Sequence, residues 1–292
     1  MKFIDYLNNS KVKLLDGSMG AMLEKLGGYG GGEDNLYNPE KVTVLHKQYI
    51  EAGSEMIITN TLTMNRIYLK NKKKKIDVKK VNDSAVELAR KAAQGKKVFI
   101  LGNISSTGKL IEPYGKLTEM QAIINFKEQA EYLSGGNVDA FIIETMFDVR
   151  EAIYAVKACK EVSDIPILAL MSFETVARGG RTIMGNSAGT CAEKLQDAGI
   201  DVIGSNCGSL DPFDMSEIVK IYREQTDLPI VIEPNAGKPE LINGNTQHNM
   251  SCKEFTEGIA KCIDEGATLV GGCCGTTPGH IKYLKEYLKR MR

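Results

Sequence analysis

The sequence predicts a single-domain (β/α)8 barrel, also called a TIM barrel. Three observations favour this fold: strand-like and helix-like segments alternate about eight times, the strand-like segments are continuously apolar, and no linker divides the 292 residues. Continuously apolar strands are typical of a parallel sheet that is covered on both faces. The same alternation leaves an open, doubly wound sheet possible, because closure cannot be read from sequence. We therefore predict one domain over residues 1–292.

The predicted elements follow one another as short apolar runs and amphipathic segments. The strands are residues 12–17, 55–62, 97–106, 139–146, 166–174, 201–208, 229–236 and 268–275. The helices are residues 39–52, 81–94, 118–134, 149–161, 187–198, 212–225, 252–265 and 278–289. Residue types that begin and end helices mark several limits: Ser84 as a cap, Thr118 and Pro278 as starts, and Gly199 and Gly266 as stops.

Composition excludes several classes of protein. Lys plus Arg and Asp plus Glu both number 37, so the chain lacks the basic excess of a nucleic-acid-binding protein. No apolar run approaches the ~18 residues of a membrane span, and the N-terminal residues 1–13 are too polar for a signal peptide. We expect a soluble cytoplasmic protein with no nucleic-acid or membrane partner. The basic segment 70–80 is either a solvated loop or a docking patch for an acidic partner.

Three of the seven cysteines lie at predicted strand ends, where the active site of such a barrel gathers. These are Cys207, Cys273 and Cys274, and three thiolates suit Zn²⁺ with a fourth, open position, as in catalytic zinc sites. The alternative is that they are small buried hydrophobic residues. The other four fall inside helical segments, where inert thiols are expected: Cys159, Cys191, Cys252 and Cys262.

A zinc ion held by thiolates suits activation of a second thiol, because it keeps that thiol in the nucleophilic, deprotonated form. Transfer of an alkyl group to a thiol follows from this chemistry. Zinc-dependent hydrolysis is the competing possibility, but it usually needs histidine ligands and a carboxylate base. His46, His248 and His280 are the only histidines, and none lies at a predicted strand end.

Two carboxylates at strand ends predict an amino-acid site. Asp16 and Glu144 follow apolar runs and could pair with an ammonium group. Gly17, Ser18 and Met19 form a turn into a helix, whose free N–H groups could bind a carboxylate. The alternative is that both acidic residues cap helices. The phosphate-binding patterns GxxxxGK[ST] and GxGxxG are absent, which gives nucleotide binding little support.

At these residues the chain resembles the homocysteine S-methyltransferase family. The matching segments are LLDGSMGAMLEKLG (14–27), IITNTLTMNR (57–66), IIETMFDVREA (142–152), SNCG (205–208), VIEPNAGKP (231–239) and GGCCGTTPGHI (271–281). They span nearly the whole chain, and NCG followed by GGCC is their most specific part. EPNAGKP with GGCCGTTPGHI is most similar to the homocysteine-binding modules of cobalamin-dependent methionine synthases.

The resemblance implies a role for each candidate residue. It makes Cys207, Cys273 and Cys274 the zinc ligands and hence the catalytic centre. It assigns the homocysteine amine to Asp16 and Glu144, and the homocysteine carboxylate to the backbone of residues 17–19. Asn235 would hold the fourth zinc position until the substrate thiol displaces it.

The methyl donor stays open at this point. The sequence lacks the DxHxxG pattern of a cobalamin module. The chain is therefore expected to take the methyl group from methylcobalamin on a separate corrinoid protein, as part of a split methionine synthase. It could also be a free-standing enzyme that uses S-methylmethionine or betaine, or a fragment of a longer protein. A possibility of another class is a non-catalytic, zinc-holding docking subunit.

Overall fold

The computed structural model describes residues 3–7, 9, 11–242 and 245–290. The strands within these residues are β1 (Lys13–Leu14), β2 (Met56–Ile58), β3 (Phe99–Ser105), β4 (Ala140–Met146), β5 (Ile167–Met171), β6 (Val202–Asn206), β7 (Ile230–Glu233), β8 (Glu240–Ile242), β9 (Asn245–Gln247) and β10 (Leu269–Val270). Each of the eight predicted strands contains one observed strand. The antiparallel hairpin of β8 and β9 was not predicted.

The helices of the same residues are α1 (Phe3–Leu7), α2 (Gly20–Lys25), α3 (Asp34–Tyr37), α4 (Pro39–Ala52), α5 (Arg66–Asn71), α6 (Val78–Ala93), α7 (Glu119–Gly135), α8 (Val149–Val162), α9 (Ala188–Asp197), α10 (Pro212–Gln225), α11 (Cys252–Asp264) and α12 (Pro278–Arg290). The eight predicted helices correspond to α4 and to α6 through α12. The short helices α1, α2, α3 and α5 are additions that the periodicity did not predict.

The sheet confirms the predicted barrel. Its parallel strands lie in the order β1-β10-β7-β6-β5-β4-β3-β2, so every strand neighbours the strand before or after it in the barrel sequence. An open doubly wound sheet would reverse this order at a switch point, and none is seen here. Parallel strands joined by helices place all eight strand-to-helix loops at one end, which we call the mouth.

The junction between β1 and β2 closes the ring mostly through side chains. The backbone N–H of Glu55 donates to the Leu14 carbonyl at 2.7 Å, and the Glu55 carboxylate accepts the Leu14 N–H at 3.0 Å. One residue after β1, Leu15 O accepts from Ser54 Oγ at 3.1 Å. Nearer the mouth, the Asp16 carboxylate accepts the Ile58 N–H at 3.0 Å. We call this junction the seam.

Two apolar layers hold the barrel together. Alternate residues of β4 show the division: Ala140 and Ile142 pack inside the barrel, whereas Phe141 and Ile143 pack against the surrounding helices. The end opposite the mouth is covered by α1, whose Phe3 belongs to the inner layer. Burying both faces of each strand explains the continuous apolar runs that predicted the sheet.

Helix limits agree with the prediction except at α6. Thr118 caps α7 in a reciprocal capping box with Gln121, and Gly199 adopts a left-handed conformation just after α9. The prediction of Ser84 as a cap is wrong, because Ser84 lies inside α6. The cap is Asp77, whose side chain accepts the Lys80 N–H at 3.0 Å. The basic segment 70–80 therefore contains the end of α5, a turn and the start of α6.

Candidate functional site

Three thiols converge at the mouth, as the strand-end positions predict. The Sγ atoms of Cys207, Cys273 and Cys274 all lie within 4.8 Å of one another, and those of Cys207 and Cys274 are 3.8 Å apart. Sulfur atoms that are ~2.3 Å from a shared tetrahedral centre are separated by about 3.8 Å. The Cys207–Cys274 pair thus has the spacing of two thiolates in a tetrahedral site, and the Cys273 sulfur lies within 4.8 Å of both.

Backbone hydrogen bonds between three loops set the positions of these thiols. The Cys207 N–H donates to the Glu233 carbonyl at 3.2 Å, and the Cys273 N–H donates to the Pro234 carbonyl at 2.8 Å. Cys207 has a φ of 53°, a left-handed conformation that is uncommon outside glycine. Strained backbone of this kind clusters at functional sites, where the surroundings hold it in place.

The pKa of each thiol in the cluster depends on its hydrogen bonds to the other two. Hydrogen bonds from Cys207 and Cys273 lower the pKa of the Cys274 thiol. Hydrogen bonds to Cys207 and Cys274, together with burial, raise the pKa of the Cys273 thiol. Three neighbouring thiolates repel one another unless a cation compensates them. A divalent, sulfur-preferring metal would replace these protons, so the donor set fits Zn²⁺.

Asn235 lies beside the thiols with an unused acceptor. Its side chain is 2% exposed, and its Nδ2 donates to the Gly208 carbonyl at 2.9 Å, next to Cys207. Its Oδ1 is buried and receives no hydrogen bond from the described residues. Buried acceptors are normally satisfied, so this oxygen has the character of a ligand for a metal or a donor group. The free oxygen beside the thiols is consistent with the prediction that Asn235 supplies a fourth metal ligand.

The predicted carboxylates are buried at the same mouth, and neither caps a helix. Met19 is the N-cap of α2 and Asp148 that of α8. Burial raises the pKa of Asp16 well above its usual value, although the Ile58 N–H acts in the opposite direction. Burial, aided by Cys274, raises the pKa of Glu144 to about 7. Both are acids that would become more stable as anions beside a cation.

Glu144 is oriented by Asn206, a residue that the sequence analysis did not single out. Asn206 Nδ2 donates to the Glu144 carboxylate and to Thr145 Oγ1, each at 2.9 Å, while its Oδ1 accepts the Thr145 N–H at 2.8 Å. Asn206 is the last residue of β6, directly before Cys207. Its position at a strand end was the available signal, but an asparagine there has no distinctive chemistry.

A third carboxylate, Glu233, joins the site. Glu233 ends β7 and is 2% exposed, and its Oε2 has no hydrogen-bond partner among the described residues. Burial raises the pKa of Glu233 well above its usual value, and the neighbouring Glu144 and Asp16 act in the same direction. Three buried acidic groups without a nearby cation are costly, so the mouth is suited to receive a positively charged group.

The predicted carboxylate-binding turn is tied to the cysteine loop. The Ser18 N–H donates to Thr276 Oγ1 at 3.0 Å, and Thr276 Oγ1 donates to the Cys273 carbonyl at 2.7 Å. The Ser18 N–H is thereby occupied. The N–H groups of Gly17 and Met19 donate to no group in the part of the chain that the structure describes. Of the three predicted contacts, these two N–H groups remain available for a substrate carboxylate.

The segment that follows β10 lies so close to the residues after β1 and to Glu233 that position 271 requires glycine. A Cβ there would lie 2.8 Å from Leu15 Cβ, 3.0 Å from the Asp16 carbonyl and 3.1 Å from Glu233 Oε1. The absence of a side chain therefore lets β10 run directly against the residues that carry two of the carboxylates. This close contact explains why Gly271, two residues before the cysteine pair, has no side chain.

One of the other four cysteines departs from the expected burial. Cys159, Cys191 and Cys262 are buried in helices as predicted, while Cys252, at the start of α11, is partly exposed. Among the histidines, His248 packs against the loop that carries Cys273 and Cys274. A Cβ added to Gly275 would lie 2.3 Å from the Cβ of His248. Its Nδ1 lies 3.0 Å from the Gly237 carbonyl, so that nitrogen carries the proton.

Fold and geometry together define a class: (β/α)8 barrels with a candidate metal site of three cysteines at the mouth. A family model described as homocysteine S-methyltransferase matches residues 13–288. The chain therefore belongs to the homocysteine S-methyltransferase family.

Among the described residues, no helix is both long and apolar enough to cross a membrane.

Relatives with two different names are equally similar to this chain. It is 29% identical to methionine synthase of Mycobacterium tuberculosis over 97% of its own length, but it spans only about a quarter of that protein. It is also 29% identical to betaine–homocysteine S-methyltransferase 1 of Rattus norvegicus, covering 99% of this chain and 75% of the relative. Sequence identity therefore does not show which of these two relatives this chain resembles more.

A solved structure has the same fold. The metallated form of the homocysteine methyltransferase MmuM from Escherichia coli superposes with a TM-score of 0.79, covering 97% of this chain and 98% of that one. The sequence identity is 20%, so this likeness supports the fold and not the activity.

Proposed function

We propose that this protein transfers a methyl group to the thiol of L-homocysteine, giving L-methionine, with zinc as its cofactor. The observation that carries this proposal is the cluster of three thiols within 4.8 Å, beside buried carboxylates at the mouth of a barrel of this family. The cluster suits a metal that binds a thiol, and the carboxylates suit the ammonium group of an amino acid. Homocysteine carries both groups.

Each site residue has a defined part in this reaction. Cys207, Cys273 and Cys274 would hold Zn²⁺, which when bound supplies the charge that keeps a thiol deprotonated at neutral pH. Asp16 and Glu144 would bind the substrate ammonium. The thiol proton leaves to solvent, the sulfur forms a bond to the methyl carbon, and the bond from that carbon to the donor breaks with its electron pair remaining on the donor.

The donor that we propose is a methylcorrinoid carried by a separate protein. The EPNAGKP and GGCCGTTPGHI segments and the similarity to methionine synthases support this choice. The second candidate is a free-standing enzyme that uses betaine or S-methylmethionine, which the equal similarity to betaine–homocysteine S-methyltransferase 1 supports. Both candidates use the same cysteines and carboxylates.

Methionine formation from homocysteine by zinc-loaded protein separates these candidates. The reaction is run in parallel with free methylcobalamin, S-methylmethionine and betaine. We expect turnover with methylcobalamin and none with the two small donors. Turnover with betaine or S-methylmethionine alone would replace the corrinoid proposal, and no turnover with any donor would favour a non-catalytic, zinc-holding subunit.

Cys273→Ala tests the role of the cluster. We expect this variant to lose bound zinc and methyl transfer together, because two thiolates and one amide oxygen are a weaker donor set. Metal content and initial rate are measured on the same preparation. Cys252→Ala is the control, since Cys252 lies outside the cluster. A Cys273→Ala protein that lacks zinc but keeps its full rate would contradict the mechanism.

A further inference from the structure

A groove of about 790 Å³ opens beside the mouth, away from the thiols and carboxylates. It lies between the segment that joins β2 to α6, the segment that joins β3 to α7, and the first half of α7. Both joining segments follow the carboxyl ends of strands. The groove is therefore on the same end of the barrel as Cys207, Cys273 and Cys274.

Two thirds of the basic residues in the strand-to-helix segments of the mouth lie in the two segments that border this groove. Segments 59–77 and 106–118, which form two of its walls, contain eight Lys and Arg residues against two Asp and Glu residues. The other six strand-to-helix segments of the barrel contain four basic and eight acidic residues. A chain with no net charge therefore has a strongly asymmetric charge distribution on its functional end.

The positive charges in the groove are mostly unpaired. Lys70, Lys73, Lys109 and Lys116 line it, and none has an acidic partner within 4.0 Å among the residues described. Arg66, by contrast, is paired with Glu128. Unpaired lysines on two walls of a groove create an attractive potential for an acidic ligand.

The groove also offers apolar surface and a buried donor. Leu110 is 53% exposed and Ile124 is 62% exposed, and both line the groove. Asn125, also in the lining, is 5% exposed. Its Oδ1 accepts the Ile67 N–H at 2.9 Å, while its buried Nδ2 has no acceptor among the described residues. Exposed apolar side chains framed by charges are characteristic of protein-binding surfaces.

We propose that this groove is the docking surface for an acidic face of the protein that delivers the methyl donor, an inference that rests on the function proposed above. A protein that presents a methyl group to the thiols must cover the mouth, and the groove lies on that rim. A nucleic acid or an anionic membrane fits less well. Either would present negative charge across the whole end, including the other six segments, which together carry eight acidic and four basic residues.

The test reverses charge in the groove and, as a matched control, elsewhere. The groove variant is Lys70→Glu/Lys109→Glu/Lys116→Glu, and the control variant is Lys91→Glu/Lys97→Glu/Lys220→Glu. All six lysines are exposed, so the variants have equal charge changes and both are expected to fold. Circular dichroism and zinc content verify this before the assay.

The readout compares two forms of one donor. The donors are free methylcobalamin and the methylated corrinoid protein of the organism that makes this chain. We expect the groove variant to raise the KM for the protein-bound donor about ten-fold or more at low salt, and to leave the rate with free methylcobalamin unchanged. The control variant should change neither quantity. Added salt should raise the wild-type KM for the protein-bound donor more than that of the groove variant.

Different results would overturn the two proposals. Equal KM values for the protein-bound donor in the groove and control variants would overturn the docking surface. So would loss of binding to a single-stranded RNA or to phosphatidylserine vesicles in the groove variant with its methyl-transfer KM unchanged. Wild-type protein that forms no methionine with free methylcobalamin would instead overturn the proposed corrinoid function.

Discussion

Glu144 is the residue whose protonation should control substrate recognition. Its pKa of about 7 lies above the ordinary value because the carboxyl is buried near Cys274. Below that pH the neutral acid cannot pair with an ammonium group, so the predicted pairing strengthens as pH rises through about 7. Asn206 holds the carboxylate in place at 2.9 Å.

Glu144→Gln should therefore raise the KM for homocysteine by about 10- to 100-fold, the usual effect of losing one charge-assisted hydrogen bond. It should also flatten the fall of kcat/KM below pH 7. Initial rates from pH 6 to 8 measure both effects. Glu174→Gln is the control, because Glu174 is an exposed carboxylate that follows β5. A wild-type KM in Glu144→Gln would show that this residue does not bind the amine.

His46 makes a separate contribution to acid sensitivity. Its ring is fully buried in α4, neither nitrogen has a partner among the described residues, and burial lowers its pKa to about 4. The unfolded chain takes up a proton near pH 6.5 that the folded chain does not. The free energy of unfolding therefore falls as pH decreases from about 6.5 to 4, by up to about 3 kcal/mol.

His46→Leu should remove this part of the pH dependence and increase stability at pH 5 relative to wild type. Urea unfolding at pH 5, 6 and 7 provides the measurement. His46→Gln is informative as well, because it removes the titration while keeping a buried polar group. If all three proteins lose stability equally on acidification, His46 is not responsible.

At the scale of elements, the start of α6 tests the corrected assignment. Asp77 accepts the Lys80 N–H at the first turn, whereas Ser84 lies within the helix. Asp77→Ala should lower the free energy of unfolding by about 1 kcal/mol, the usual cost of losing an N-cap. Ser84→Ala should leave it nearly unchanged. Thermal and urea unfolding of the two variants would reverse in rank if the helix began at Ser84.

The long elements were predictable because each repeats one local pattern. Continuous apolar runs located all eight barrel strands, and 3.6-residue periodicity located the eight long helices. The α6 start was missed because segment 76–80 looks like the continuation of a basic loop. The hairpin Glu240–Ile242 with Asn245–Gln247 has strands too short to show alternation, and the short helices have the same limitation.

The site was predictable where chemistry is distinctive and not where it depends on contact. Cysteines at strand ends drew attention by their residue type alone. Asn206 and Glu233 gain their importance from neighbours 62 residues or more away in sequence, such as Glu144, and no spacing rule signals this. The occupied Ser18 N–H likewise depends on Thr276, at the far end of the chain.

At the scale of the whole molecule, Asp16 belongs both to the candidate site and to the seam. Asp16→Ala would leave the buried Ile58 N–H without an acceptor and should lower the free energy of unfolding by about 1–3 kcal/mol. Asp16→Asn keeps an oxygen for that N–H, so it should retain most of the stability while losing homocysteine affinity. Urea unfolding and the KM for homocysteine separate the two roles. Equal stability of the Ala and Asn variants would show that the seam does not depend on this oxygen.

Because the Asp16 carboxylate belongs to both the site and the seam, ligand binding is coupled to closure of the barrel. A barrel closed entirely by backbone hydrogen bonds would not have this coupling. By thermodynamic reciprocity, a ligand that holds Asp16 in place strengthens closure, and a closed ring binds that ligand more tightly. Under the proposed function, homocysteine bound to Asp16 should therefore strengthen the junction of β1 and β2. Resistance to proteolysis should then rise with the concentration of homocysteine.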